Sequence, residues 1–192
     1  MKVIETPLVD ASVITVDKYE DERGFFMESF NQEQFVKELG HYDFVQDNHS
    51  KSSKGVLRGL HYQLDKPQGK LMRCTQGAVY DVIVDLRKSS STFGLWCDIT
   101  LDNPETIIWV PPGFAHGFYT LTDTAEFEYK CTDYYHPQSM KTLMWDDPDL
   151  GITWPTLHPP LLSEKDAIGK TFKECEKYEY VICLWWYRIC RR

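Results

Sequence analysis

Several residues able to move or hold a proton stand at strand-like places in this chain. His61 lies in Arg58-Gly59-Leu60-His61-Tyr62-Gln63, Lys70 opens the next apolar run, Tyr129 lies in Glu128-Tyr129-Lys130-Cys131, and His116 closes Pro111-Pro112-Gly113-Phe114-Ala115-His116. An imidazole is matched to base chemistry near neutral pH, and a phenol can return a proton. Each residue also has an ordinary structural use. His61 can be a hydrogen-bonded core histidine, Tyr129 a packed tyrosine with a satisfied hydroxyl, and Lys70 a surface residue at a strand start. What favours chemistry is their company. Arg58 falls on one strand face with Leu60 if that strand is regular, and a ring of Arg, His, Lys and Tyr inside a barrel is costly unless a ligand, water or acid satisfies it.

The elements that must position these residues are short strands broken by Gly and Pro. Expected strands are Ala11–Val16, Phe25–Ser29, Phe44–Ser50, Val56–Leu64, Lys70–Gln76, Ala78–Leu86, Trp96–Leu101, Thr106–Val110, Gly117–Leu121 and Ala125–Thr132. One helix is expected over Gln32–Leu39, with Asn31 as cap, Gln34 completing a capping box and Gly40 ending it. After Trp154-Pro155 the texture changes to loops and one or two helical turns. Many strands and one early helix predict an all-β fold, a sandwich or barrel.

Composition narrows the function. With 192 residues the chain can bury one core, and a net charge of −8 argues against a broad nucleic-acid-binding face. An anionic ligand therefore requires locally placed arginines. The longest apolar run, Val181 to Tyr187, is too short to span a bilayer, so no membrane partner is expected. Met1 to Pro7 does not read as a signal peptide, and the six scattered cysteines form no C-x-x-C pair, which together predict reduced thiols and a cytoplasmic location.

Pro111-x-Gly113-x-x-His116 has the form of the second cupin motif, which aims a His into a barrel. Metal-binding cupins usually add a His-x-His pair, and here the second His is replaced by Gln63. Too few imidazole and carboxylate ligands converge for a tight transition-metal site, so no metal is expected.

Longer segments carry a closer resemblance. Asp21-Glu22-Arg23-Gly24-Phe25-Phe26, Phe44-Val45-Gln46-Asp47-Asn48-His49-Ser50, Lys54 to Gln63, Asp81 to Arg87, Pro112 to Phe118, Glu128 to Cys131 and Trp145-Asp146-Asp147-Pro148 follow one another in order up to about Phe172. In these the chain resembles the dTDP-4-dehydrorhamnose 3,5-epimerase family. The resemblance implies a cupin-type jelly roll (double-stranded β-helix) over residues 1–172, a homodimer, and no cofactor beyond the nucleotide of a nucleotide-sugar substrate. It makes His61 the base, Asp166 in Leu162-Ser163-Glu164-Lys165-Asp166 its orienter, Tyr129 the acid and Lys70 the partner of the carbonyl oxygen. Arg23, Phe26, Glu28, Gln46, Asn48, Arg58, His116 and Tyr135 fall where that family holds nucleotide and sugar. The implied reaction is epimerisation of a 4-keto-6-deoxyhexose at C3 and C5, in rhamnose synthesis.

Alternatives remain at this level: a mono-epimerase at C3 or C5 alone, or a sugar-binding cupin without catalysis. Arg23 also reads as a turn residue before Gly24, Phe25 and Phe26 as base-stacking or core residues alike, and Asp166 as a solvated carboxylate. Two departures from the family pattern are Ser91, where proline is more usual, and Gly69, where a larger residue is common. Residues 173–192, ending in the aromatic and basic Val181–Arg192, read as a tail of unknown role, packed on the barrel or a partner, a membrane-surface or protein contact, or non-native.

Overall fold

A computed structural model describes residues 1–156 and 158–179. Thirteen strands account for most of the ordered elements: β1 (Lys2–Glu5), β2 (Ser12–Thr15), β3 (Lys18–Asp21), β4 (Gly24–Met27), β5 (Gln46–Ser53), β6 (Leu57–Gln63), β7 (Lys70–Gln76), β8 (Val79–Asp85), β9 (Trp96–Leu101), β10 (Thr106–Val110), β11 (Phe114–Thr120), β12 (Thr124–Cys131) and β13 (Met140–Thr142). Helix α1 spans Gln32–Leu39 and the short α2 spans Glu164–Ala167. Strands β7, β9 and β10 coincide with their expected bounds. Strands β1, β3 and β13 were not expected, each being only three or four residues long with no buried residue. Neither a long apolar run nor a clean alternation marks them in the sequence.

Two sheets face each other. One has the order β1-β2-β10-β7-β12-β5 and the other β13-β6-β11-β8-β9, while β3 and β4 form a separate hairpin. The main core lies between the sheets, where Met72 and Cys74 of β7, Phe127 of β12, Ile83 of β8 and Phe118 of β11 are all buried. Neighbours in the order are mostly far apart in sequence, as in a jelly roll, and the fold is the cupin-type jelly roll. A second cluster, around Leu57, Leu60, Tyr62, Val84 and Leu143, packs the outer face of the smaller sheet under the C-terminal segment. Cys175 and Tyr178, beyond residue 172, belong to that cluster.

Helix α1 covers the outer face of the larger sheet, where Phe35 packs edge-on against Trp109. Its cap is the expected one, Gln34 N–H donating to Asn31 Oδ1 at 3.1 Å. The reciprocal half of the capping box does not form. The Gln34 amide turns to Glu28 Oε1 instead, at 3.4 Å.

The aspartates within β8 have separate duties. Asp85 is fully buried and paired with buried Arg87, whose guanidinium also reaches Asp10 at 2.8 Å and the Val9 carbonyl at 2.8 Å. This joins the end of β8 to the N-terminal loop. Among the described residues no helix is long and apolar enough to cross a membrane.

Candidate active site

Strand β6 carries the central histidine, and it is not regular. His61 pairs with His116 of β11, yet Arg58 pairs with Phe118, so three steps on β6 match two on β11. The bulge lets Arg58 and His61 share the inner face while Leu57 and Leu60 turn to the outer core. The expected sharing of a face by Arg58 and Leu60 is therefore corrected. Gly59 permits this: its φ is +132°, and a Cβ there would sit 2.4 Å from the Gly117 Cα.

His61 Nε2 lies 2.5 Å from Asp166 Oδ1. Asp166, at the start of α2, is 3% exposed and also accepts from Ser163 Oγ at 2.7 Å. A carboxylate only accepts, so Nε2 carries the proton and Nδ1 is left with the free lone pair. Burial lowers the His61 pKa and outweighs the opposing pull of Asp166, while Lys70 and Lys165 add to the lowering. Burial would raise Asp166, but the hydrogen bonds from His61 and Ser163 hold it below the usual carboxylate value.

Opposite His61, on the larger sheet, stand Lys70 and Tyr129. A cavity of about 140 Å³ is lined by His61, Lys70, Tyr129 and Tyr135. Burial pushes Lys70 below the ordinary lysine value despite Cys131 and Asp81, and pushes the Tyr129 phenol above that of free tyrosine. Among the described residues no hydrogen-bond partner meets Lys70 Nζ or the Tyr129 hydroxyl. Both polar groups are thus open to a ligand in the cavity.

The remaining candidates separate by position. Gln46 accepts from Tyr135 N–H at 2.8 Å and donates to Asn48 Oδ1 at 3.1 Å, and Asn48 reaches the Cys131 sulfur at 3.5 Å, so these residues form one cluster beside the cavity. Arg58 is exposed, donates to Ser52 Oγ at 3.0 Å, and lies close enough to Tyr129 for its charge to oppose the rise in that phenol's pKa. His116 is nine-tenths buried and bound to Asp81 at 2.7 Å, without lining the cavity itself.

Arg23, Phe26 and Glu28 are not brought to His61 within the chain. Arg23 is 85% exposed and paired with Asp21, and Phe26 is 72% exposed on the β3–β4 hairpin. Glu28 accepts from Asn31 and Gln34 at the start of α1.

Sequence reasoning missed Gln68, Phe114, Met140, Lys165 and Tyr178, which also line the cavity. Lys165 and Phe114 lie inside segments already singled out and were overlooked as neighbours. Tyr178 had no local signal, because a tyrosine donating to the Gln63 carbonyl from more than a hundred residues away is visible only in the fold. Gln63 directs its amide to the Lys66 and Tyr134 carbonyls and accepts from His136 N–H, so it acts as a loop clamp. Of the family departures, Ser91 is exposed, and the space above Gly69 is filled by Trp109, whose ring would lie 2.7 Å from a Cβ there. Val181–Arg192 lies outside the described residues.

A jelly roll in which a half-buried histidine, paired with a buried aspartate, faces a lysine and a tyrosine across one cavity defines a cupin with groups that can hold and exchange protons. Comparison with known proteins gives the particular family. The model of the dTDP-4-dehydrorhamnose 3,5-epimerase family matches residues 5–174. The chain is 49% identical over 181 residues to the dTDP-4-dehydrorhamnose 3,5-epimerase of Shigella flexneri, covering 93% of this chain and 99% of that one. It is 51% identical over 178 residues to the enzyme of that name from Neisseria gonorrhoeae, covering 92% of this chain but spanning only 54% of that longer protein. Among solved structures, the dTDP-6-deoxy-D-glucose-3,5-epimerase of Legionella pneumophila Philadelphia 1, in complex with dTDP-4-keto-L-rhamnose, superposes with a TM-score of 0.91 at 45% identity, over 94% of this chain and 99% of that one. A 3'-monoepimerase from Streptomyces bikiniensis in complex with dTDP-quinovose gives 0.82 at 36%, over 86% and 85%. The chain belongs to the dTDP-4-dehydrorhamnose 3,5-epimerase family, a family of isomerases.

Proposed function

We propose that this protein inverts C3 and C5 of dTDP-4-dehydro-6-deoxyglucose, with His61 as base and Tyr129 as acid, in the cytoplasmic synthesis of dTDP-rhamnose. The observation that carries the reading is His61 on the smaller sheet, held by Asp166 of α2, facing Lys70 and Tyr129 on the larger sheet across a single cavity.

C3 and C5 both flank the C4 ketone, which acidifies the proton on each, and either deprotonation places the charge on the same C4 oxygen as an enolate. His61 Nδ1 takes the proton from one carbon, and Asp166 stabilises the imidazolium formed. The electron pair moves to the C4 oxygen, where the Lys70 ammonium offsets the developing charge. One donor of this kind contributes about 3 kcal/mol. Tyr129 then delivers a proton to the same carbon from the opposite side; solvent reprotonates Tyr129 and takes the proton from His61, and the cycle repeats at the second carbon. A base and acid on facing sheets suit inversion, which one group on one side cannot accomplish.

Gln46, Asn48, Arg58 and Tyr135 bind sugar and nucleotide at the cavity rim, with Arg58 on the diphosphate. His116 supports the site from beneath. Arg23, Phe26 and Glu28 belong to the same binding surface through a homodimer, in which the exposed hairpin of one copy approaches the cavity of the other.

Mass spectrometry of dTDP-4-keto-6-deoxyglucose incubated with the protein in D₂O tests this reading. Two deuterons gained by the wild type and none by His61→Asn are expected. One deuteron makes the protein a mono-epimerase, and normal exchange by the variant removes His61 as the base.

A further inference from the structure

The interior below the cavity holds a polar group that the reaction above leaves unexplained. Asp81, on β8, is fully buried among Ile83, Phe118 and Phe127. Its Oδ2 is held by His116 Nε2 at 2.7 Å, and His116 is in turn stacked on Phe127. Its Oδ1 is buried and has no hydrogen-bond partner among the described residues. An orphaned carboxylate oxygen in an apolar barrel is costly, and such atoms in native proteins call for a reason. Lys70, at the mouth of the same barrel, has the complementary defect of an ammonium without a partner. Its inward neighbours on β7 are Met72 and Cys74, which pack in the same core as Phe118. Asp81 lies opposite Phe118 of β11 in that core, so the two groups face the same interior, and the charge of Asp81 opposes the lowering of Lys70 by burial.

We propose that Asp81, anchored by His116, is a positioning residue for Lys70: its free Oδ1 is the counter-charge that keeps the lysine protonated and directed at the substrate oxygen. The inference rests on the reading of Lys70 as partner of the enolate. Burial alone drives Lys70 towards its neutral form, which would not stabilise an oxyanion. The other titratable groups facing this space are His61 on β6, Lys165 on α2 with Asp166, whose charge is taken up by His61 and Ser163, Cys97 on β9, His116 on β11, Tyr129 and Cys131 on β12, and Tyr135 and Tyr178. His61 and His116 add no negative charge, and burial raises the pKa of both the Tyr129 phenol and the Cys131 thiol, which keeps them neutral. Asp81 is the carboxylate among them that can oppose the effect of burial.

The test is a titration of the Lys70 side-chain nitrogen by NMR in ¹⁵N-lysine-labelled protein, the resonance being assigned by its loss in Lys70→Met. In Asp81→Asn the Lys70 pKa is expected to fall by at least one unit, about a tenfold loss of proton affinity. In parallel the alkaline limb of kcat moves down in pH by a similar amount, with KM changed less than about threefold. An unmoved Lys70 titration overturns the proposal, whatever the activity. Because that readout needs no substrate, a shifted titration in a protein inactive on the keto-sugar would indict the substrate assignment and leave the Asp81–Lys70 pairing standing. Should Asp81→Asn fold poorly, adding Lys70→Met is expected to raise its melting temperature, since it removes the uncompensated cation. Absence of rescue would show that Asp81 serves His116 alone.

Discussion

At the scale of single residues, the site is set by what burial does to each ionisable group. His61 is held below the ordinary histidine value, so it is already unprotonated, and competent as a base, at neutral pH. Activity is expected to fall only as pH drops through that lowered pKa, which places the acid limb of kcat/KM below about 6.5, the unperturbed value. A limb above it would mean that the pull of Asp166 dominates. Tyr129 is displaced the other way and stays protonated through the working range. Tyr129→Phe should therefore cost on the order of 10²–10⁴ in kcat, the usual contribution of a general acid. Exchange of the substrate's protons with D₂O should persist at a measurable rate, because His61 is untouched. Loss of exchange together with turnover would deny Tyr129 a role confined to reprotonation.

At the scale of the element, strand β6 does most of the positioning, and it does so by being irregular. The bulge at Gly59 turns Arg58 and His61 to one face. A Gly59→Ala variant combines a φ that alanine tolerates poorly with a Cβ driven into Gly117, and neither backbone has room to yield. We expect a loss of at least about 2 kcal/mol in denaturant unfolding, at the upper part of the usual range for a single strained residue. The protein that still folds should show a His61 resonance altered from that of the wild type. The sequence made β8 legible as a strand through its apolar run and β6 through its place between turn residues, and Asn31 made the start of α1 legible through its cap. It did not show the bulge, because Gly59 in a strand is compatible with a bulge, a kink or a close approach. The choice was made by Gly117 on the neighbouring strand.

At the scale of the whole molecule, distant segments are tied to the barrel by buried polar contacts. Arg87 joins Asp85, Asp10 and the Val9 carbonyl, and Asp85 further accepts from Ser90 and Thr92. Asp85→Asn leaves the buried guanidinium short of a charge and should cost about 3–5 kcal/mol in denaturant unfolding at pH 7. Burial would raise the Asp85 pKa, but the hydrogen bonds from Arg87, Ser90 and Thr92 hold it below its ordinary value. The stabilisation is thus complete above the unfolded-state carboxylate pKa near 4 and is lost as pH falls through the lowered folded value, so wild type and variant should converge in acid. The hairpin raises a different question of scale. Arg23 and Phe26 point to solvent, and in a homodimer that joins them to the neighbouring cavity, Arg23→Ala should raise KM with little change in kcat. Sedimentation of the wild type as a monomer would remove that role.

The sequence by itself determined an all-β fold and the helix with its cap, since strand periodicity and turn residues are local properties of the chain, and its long ordered motifs gave the family and, by resemblance, the jelly roll. It also supplied His61, Lys70, Tyr129 and Asp166 by resemblance to that family. Only the tertiary structure decided that Arg58 shares a face with His61 and that Lys165 and Tyr178 line the cavity, and only it set the 2.5 Å between His61 and Asp166, 105 residues apart. It also decided that Arg23, Phe26 and Glu28 stand apart from that cavity within one chain. The physical reason is the same in each case. Which side chains meet across two facing sheets depends on register, and register is fixed by packing and by one bulge, neither of which is written in the spacing of residues along the chain.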